Sequence, residues 1–298
     1  MRRHPVLTTC LIVAFILFFF VGLSALTLKW AGKEGIFAKA PKVGVVEING
    51  LIIRAQPTLK ELRRLKEDNR IKAILVRINS PGGAVGPSQE IMREILKVRK
   101  IKKVVASLET LAASGGYYVA CACDVIVANP GTAVGSIGVI MKLANVEQLT
   151  KKLGVDFYSL KAGELKDLGS PFRPMTPEER AALQSLLDNI HQQFIQDVAT
   201  NRKIPLDRMA TLATGTVFTG EQAKNLGLVD ELGNFEDALE LAGRLGGITG
   251  KVEAVYPPKP RPSLFRLILG GDAEEKLYAL TELLSLYPEP AFLPPWFR

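Results

Sequence analysis

Histidine is nearly absent from this chain: two occur among 298 residues, His4 and His191. His4 precedes a long apolar segment, and His191 flanks the stripe of Leu183, Leu186, Leu187, Ile190, Phe194 and Val198 on a helix predicted from Thr176. A Ser-His-Asp arrangement is open only through His191, and that position reads as boundary packing. Cysteine is scarce too. Cys10 falls in the apolar segment, while Cys121 and Cys123 are spaced wrongly for a redox Cys-x-x-Cys and have no further ligands in view, so they read as buried packing. No Ser-x-x-Lys tetrapeptide occurs, which argues against a penicillin-binding type of site. Aromatic residues make up 7% of the chain, and the basic residues are scattered with little aromatic interleaving. The net charge of +8 therefore draws no nucleic-acid stripe. Attraction to membrane lipid headgroups is one use of that charge, and ordinary solubility is the other.

What the chain does have begins with Val6–Leu28, a run without a charged residue. At 1.5 Å per residue it reaches about 35 Å, enough to cross a hydrocarbon core of about 30 Å. The expectation is a single-pass transmembrane helix over residues 1–28 in the cell membrane, with the catalytic part on the extracytoplasmic side. A cleavable signal peptide ending near Gly22-Leu23-Ser24 is the competing reading. A linker over 29–42 follows, then a domain over 43–250. Residues 251–298 form a tail with a proline-rich stretch at 256–262 and an amphipathic segment at Glu274–Leu286.

Within the domain, predicted strands and helices alternate, which argues for α/β with mostly parallel strands. Strands are expected at Val43–Ile48, Ala73–Asn79, Val104–Leu108, Val125–Ala128 and Asp156–Leu160. Helices are expected at Thr58–Asp68, Pro87–Val98, after Ser114, and from Thr176. Thr176-Pro177-Glu178-Glu179 and Thr219-Gly220-Glu221-Gln222 are capping boxes.

Ser114 lies in Leu111-Ala112-Ala113-Ser114-Gly115-Gly116-Tyr117-Tyr118, after a strand and before a helix. A serine at such a turn, crowded by Ala and Gly, is held as serine hydrolases hold a nucleophile. The second strand is expected to break at Ser80-Pro81-Gly82-Gly83, where glycine amides can approach an oxyanion closely. The backbone amides of Gly83 and Gly115 make a candidate pair. With histidine so scarce, lysine is the other activator, provided its reference pKa of about 10.4 is lowered to roughly 7–8 by desolvation. Lys166, in the Gly- and Pro-containing stretch 162–171, is a candidate, and spacing alone leaves Lys161 and Lys142 equally open.

The pattern as a whole resembles the signal peptide peptidase SppA family in its short, single-repeat form. The resemblance rests on Arg77-Ile78-Asn79-Ser80-Pro81-Gly82-Gly83, Ala113-Ser114-Gly115-Gly116-Tyr117-Tyr118 and Gly131-Thr132-Ala133-Val134-Gly135-Ser136-Ile137-Gly138-Val139. It continues through Lys166-Asp167, Ser170–Thr176 and Gly215–Asp230, covering roughly residues 43–247. It implies a ClpP/crotonase-like fold, with Ser114 as nucleophile, Lys166 as general base, and the Gly83 and Gly115 backbones as the oxyanion hole. It further implies a homo-oligomer whose active sites are shared between subunits, and no metal or cofactor. The activity implied is that of a membrane-anchored serine endopeptidase acting on cleaved signal peptides or other short hydrophobic peptides. A crotonase-like acyl-CoA enzyme and a catalytically silent membrane scaffold are the alternatives.

Overall fold

The computed structural model describes residues 15–16, 18–20, 41–257 and 291–292. Five strands carry the core of the domain: β1 (Lys42–Ile52), β2 (Ile71–Ala84), β3 (Lys103–Ala113), β4 (Val125–Ala128) and β5 (Ala133–Gly135). β1, β2 and β3 run parallel and in sequence order, linked by α1 (Gln56–Glu67) and α2 (Val85–Val98). The outer edge of β3 is divided. Its first half pairs with β4 and its last three residues with β5. The Thr132 hydroxyl donates to the Glu109 carbonyl at 2.6 Å where one partner hands over to the other. The sheet is extended by β6 (Val217–Thr219) on β5, β7 (Glu231–Leu232) on β4, β8 (Ala254–Val255) on β1 and β9 (Ala291–Phe292) on β2.

Because parallel strands are covered on both faces, their sequences read as apolar runs and alternate residues enter different cores. Ile74, Val76 and Ile78 of β2 and Val104, Ala106 and Leu108 of β3 face Leu59, Leu62 and Leu65 of α1 and Ile91, Met92 and Ile95 of α2. Ala73, Leu75 and Val105 face the opposite side, where α6 (Phe235–Leu245) packs Ala238, Leu239, Leu241 and Ala242. Each Leu that α1 buries contributes about 1.5–3 kcal/mol. At the end of α1, the Lys102 ammonium donates to the Leu65 and Asp68 carbonyls, satisfying acceptors that a helix terminus leaves open.

The α/β class expected from the alternation is present. Two element expectations are corrected. β2 does not break at Ser80 but continues through Pro81-Gly82-Gly83 to Ala84, with register shifts against β1 and β3 on either side of Ser80. Such bulges let a strand carry a proline without losing its neighbours. Residues Asp156–Leu160 form no strand: they are exposed and pair with nothing in the sheet.

The membrane expectation is corrected as well. No helix among the described residues is long and apolar enough to cross a membrane. In the Val6–Leu28 run only residues 15–16 and 18–20 are described, as short exposed helical pieces, so no spanning helix among the described residues supports the single-pass extracytoplasmic location. The expected amphipathic segment Glu274–Leu286 lies outside the described residues.

Candidate active site

Ser114 is where β3 ends and α3 (Gly115–Ala120) begins. Its backbone has φ 53° and ψ −118°, a positive-φ conformation that costs a non-glycine residue about 1–3 kcal/mol. The surroundings hold it there. Its N–H donates to the Gly135 carbonyl at 2.7 Å, and its own carbonyl accepts from the Tyr118 N–H at 2.8 Å. The hydroxyl lies 3.5 Å from the Gly138 carbonyl, and the residue is fully buried. All six α3 residues are buried as well. Tyr117 donates to the Leu228 carbonyl at 2.8 Å, and Tyr118 bonds to the Asp197 carboxylate. Burial pushes both phenols up, so they remain neutral donors.

The small residues around Ser114 are required by close backbone approach. A Cβ on Gly115 would stand 3.2 Å from the Gly83 nitrogen and 2.6 Å from the Ser88 hydroxyl. One on Gly116 would stand 2.7 Å from the Ser80 carbonyl oxygen, and one on Gly83 would stand 2.3 Å from the Ile52 carbonyl oxygen. Side chains at Gly115 or Gly116 would push α3 away from β2, and one at Gly83 would push β2 away from β1. Ser80, fully buried, fastens the bulge by donating to the Gly50 carbonyl at 2.6 Å while accepting from the Gly82 N–H at 3.1 Å. Three of the four residues singled out from sequence, Ser114, Gly115 and Gly83, are therefore gathered at one point.

Lys166 is elsewhere. It is exposed, and its ammonium makes no hydrogen bond or ion pair among the described residues. The loop carrying it is nonetheless fixed. Arg173 bonds the Asp167 carboxylate at 2.9 Å and the Asp167 carbonyl at 2.8 Å, then reaches Glu179 at the start of α5 (Pro177–Arg202). Bonds from Arg173 and from the Thr176 N–H hold the Glu179 carboxyl at about 2, well below its ordinary range. The segment that carries Lys166 exposes apolar side chains. Tyr158 and Leu160 are 88% and 95% exposed, and α4 (Glu147–Lys152) in the same segment buries none of its residues.

His191 does not engage Ser114: its Nε2 is buried with no hydrogen-bond partner among the described residues. Lys161 is occupied by the Glu164 carbonyl at 2.7 Å. Cys121 and Cys123 are free, buried thiols, and desolvation pushes Cys121 up to about 12, so neither is a nucleophile at neutral pH. The sequence pattern did not reveal the clamp that the 135–138 turn forms on Ser114. Its signal was present in the motif Gly131–Val139, where Ser136 is itself buried at φ 51° and donates its N–H to the Thr216 carbonyl at 2.8 Å.

A strained serine between a strand and a helix, with two glycine backbones converging beside it, is the architecture of a serine peptidase. The family model for "Peptidase family S49" matches residues 97–249. A protein of Synechocystis sp., provisionally named a protease, is 42% identical over 251 residues, covering 82% of this chain and 90% of its own length. "Serine protease SPPA, chloroplastic" of Arabidopsis thaliana is 34% identical over 230 residues, 76% of this chain and 34% of that protein. Among solved structures, a ClpP1 variant of Listeria monocytogenes aligns with a TM-score of 0.46 and 18% identity, over 65% of this chain and 93% of that one. The chain belongs to peptidase family S49, and the resemblance to the SppA family is borne out. It is a serine peptidase.

Proposed function

We propose that residues 43–250 form the catalytic domain of a Ser-Lys endopeptidase that cleaves short apolar peptides, cleaved signal peptides among them. Ser114 attacks the scissile carbonyl, and Lys166 of a neighbouring copy takes the hydroxyl proton and returns it to the leaving amine. The Gly83 and Gly115 amides receive the oxyanion, and water then resolves the acyl-enzyme by the same route. The observation that carries this reading is the convergence of Ser114, Gly115 and Gly83 at one strained turn.

The sharing of sites between copies is supported by a contrast. Ser114 is sealed inside the domain, while Lys166 stands outside it on an apolar, rigidly tethered segment. An exposed apolar surface of that kind favours contact with another protein surface. Covering it with a second copy would also remove water from the lysine, and desolvation disfavours the charged ammonium. The same apolar lining suits substrates of the same character.

The test compares wild type, Ser114→Ala and Lys166→Ala on an unstructured apolar peptide, alongside trapping by a serine-directed acylating reagent. Both variants are expected to lose cleavage, and the wild type is expected to carry the adduct on Ser114. Full turnover by Lys166→Ala would overturn the choice of base, and an adduct on another serine would overturn the nucleophile.

A further inference from the structure

Arg173 commits its whole guanidinium to the segment that carries Lys166. The group has five N–H donors, and each has an acceptor. Nε donates to the Asp167 carboxylate at 2.9 Å, and Nη1 donates to the Glu179 carboxylate at 2.9 Å and the Pro174 carbonyl at 3.2 Å. Nη2 donates to the Asp167 carbonyl at 2.8 Å and to the second Glu179 oxygen, completing a bidentate fork. The two carboxylates stand on different footings. Glu179 is 3% exposed and lies in the first turn of α5, whose Phe194, Ile195 and Val198 sit in the main core. Asp167 is the neighbour of Lys166 in the chain, and its other carboxylate oxygen accepts from the Ser159 hydroxyl at 3.1 Å. The backbone at Lys166 is thus placed from the core through α5, although its side chain is exposed.

The charged groups of this segment are Lys161, Glu164, Lys166, Asp167 and Arg173, with Glu179 facing them from α5. Of its three cations, Arg173 and Lys161 are taken, and Lys166 alone bonds nothing among the described residues. Resting on the Ser-Lys reading above, we propose that Arg173 is a positioning residue for the reaction: bound to Asp167 and Glu179, it holds the Lys166 amine where Ser114 of a neighbouring copy meets it. It acts without touching the amine. A carboxylate left unpaired beside a lysine favours the charged ammonium, and Arg173 occupies the one that adjoins Lys166 in sequence. Lysine cannot substitute, because three donors on one nitrogen do not reproduce the fork. The cap of α5 does not depend on Arg173, since Thr176 and Glu179 bond each other at 3.0 and 3.2 Å.

The test compares wild type with Arg173→Lys, which keeps the charge, and Arg173→Gln, which removes it. Each is also made with Ser114→Ala, so that acylation falls on amines alone. These chains, assembled, are treated with acetic anhydride across a pH series, and the acetyl group on Lys166 is quantified by mass spectrometry. Turnover of an unstructured apolar peptide is followed over the same series with Ser114 present. Both substitutions are expected to move the midpoint of Lys166 labelling up by about one pH unit or more, toward the ordinary lysine value of about 10.4, with Arg173→Gln moving it further. At neutral pH kcat is expected to fall about 10- to 100-fold with KM nearly unchanged, and the acid limb of the rate profile to follow the labelling midpoint. An unmoved midpoint in Arg173→Lys, even with a lower melting temperature, would reduce Arg173 to a stabilising contact and overturn the proposal. A midpoint that moves while the rate profile stays fixed would leave the positioning standing and contradict Lys166 as the base.

Discussion

Gly83 shows how little freedom a residue has once two backbones meet on it. An added methyl would lie 2.3 Å from the Ile52 carbonyl oxygen, so Gly83→Ala must move β2 against β1. The expected result is a loss of about 10²–10³ in kcat, the scale of one displaced oxyanion donor, with a smaller loss of stability of about 1–3 kcal/mol. Kinetics together with thermal unfolding on the same preparation check it; a loss of stability with kcat intact would remove Gly83 from the site. Glu179 carries a pH prediction. Its carboxyl is held down to about 2 by Arg173 and the Thr176 N–H, so its ionised form stabilises the fold fully above the ordinary carboxylate range. That contribution is lost as pH falls from about 4 to about 2. Melting temperature is expected to drop more across this window in the wild type than in Glu179→Gln, which starts lower at neutral pH and changes less. At this scale the close-packed turn at Ser114 was legible, because few reasons other than close backbone approach crowd Ala and Gly around a serine between two elements. Lys166 was not: a lysine in a loop looks the same whether it is a base or a solvated charge, and the family motif chose it over Lys161 and Lys142.

At the scale of elements, apolar runs and capping boxes located β1, β3, β4, α1, α2 and the start of α5. The Thr176 cap is present as expected, with its hydroxyl accepting from the Glu179 N–H. Pro81-Gly82-Gly83 misled, because Pro and Gly signal a turn in isolation and only pairing with β1 keeps the chain extended. Asp156–Leu160 misled in the opposite sense, since its alternation suits a strand but the sheet offers it no edge. One long-range contact, invisible in sequence, fixes the far end of α5. Arg202, its side chain nearly buried, binds Asp230 at 2.6 Å and the Gly227 carbonyl, while Asp230 also accepts from the Ile126 N–H at 2.7 Å. Asp230→Ala would strand that guanidinium and a β4 donor together. A loss of about 1–3 kcal/mol in denaturant unfolding is expected, since the β4 N–H and the guanidinium lose a charged acceptor; a change under about 0.5 kcal/mol would show the pair to be solvated rather than structural.

For the whole molecule, the proposed nucleophile and the proposed base are held apart. Ser114 and the two glycine backbones are assembled within one chain, and Lys166 is exposed on a segment that also exposes apolar side chains. That division is the reason for a site shared between copies, and the sharing can be measured directly. Ser114→Ala and Lys166→Ala chains, each inactive alone, are denatured, mixed in equal amounts and refolded together. Subunits that lend Lys166 to a neighbour's Ser114 will form some complete sites, so cleavage of the apolar peptide is expected to return to about a quarter of the wild-type rate when assembly is random. A mixture as inactive as its two components would contradict the sharing of the site between copies.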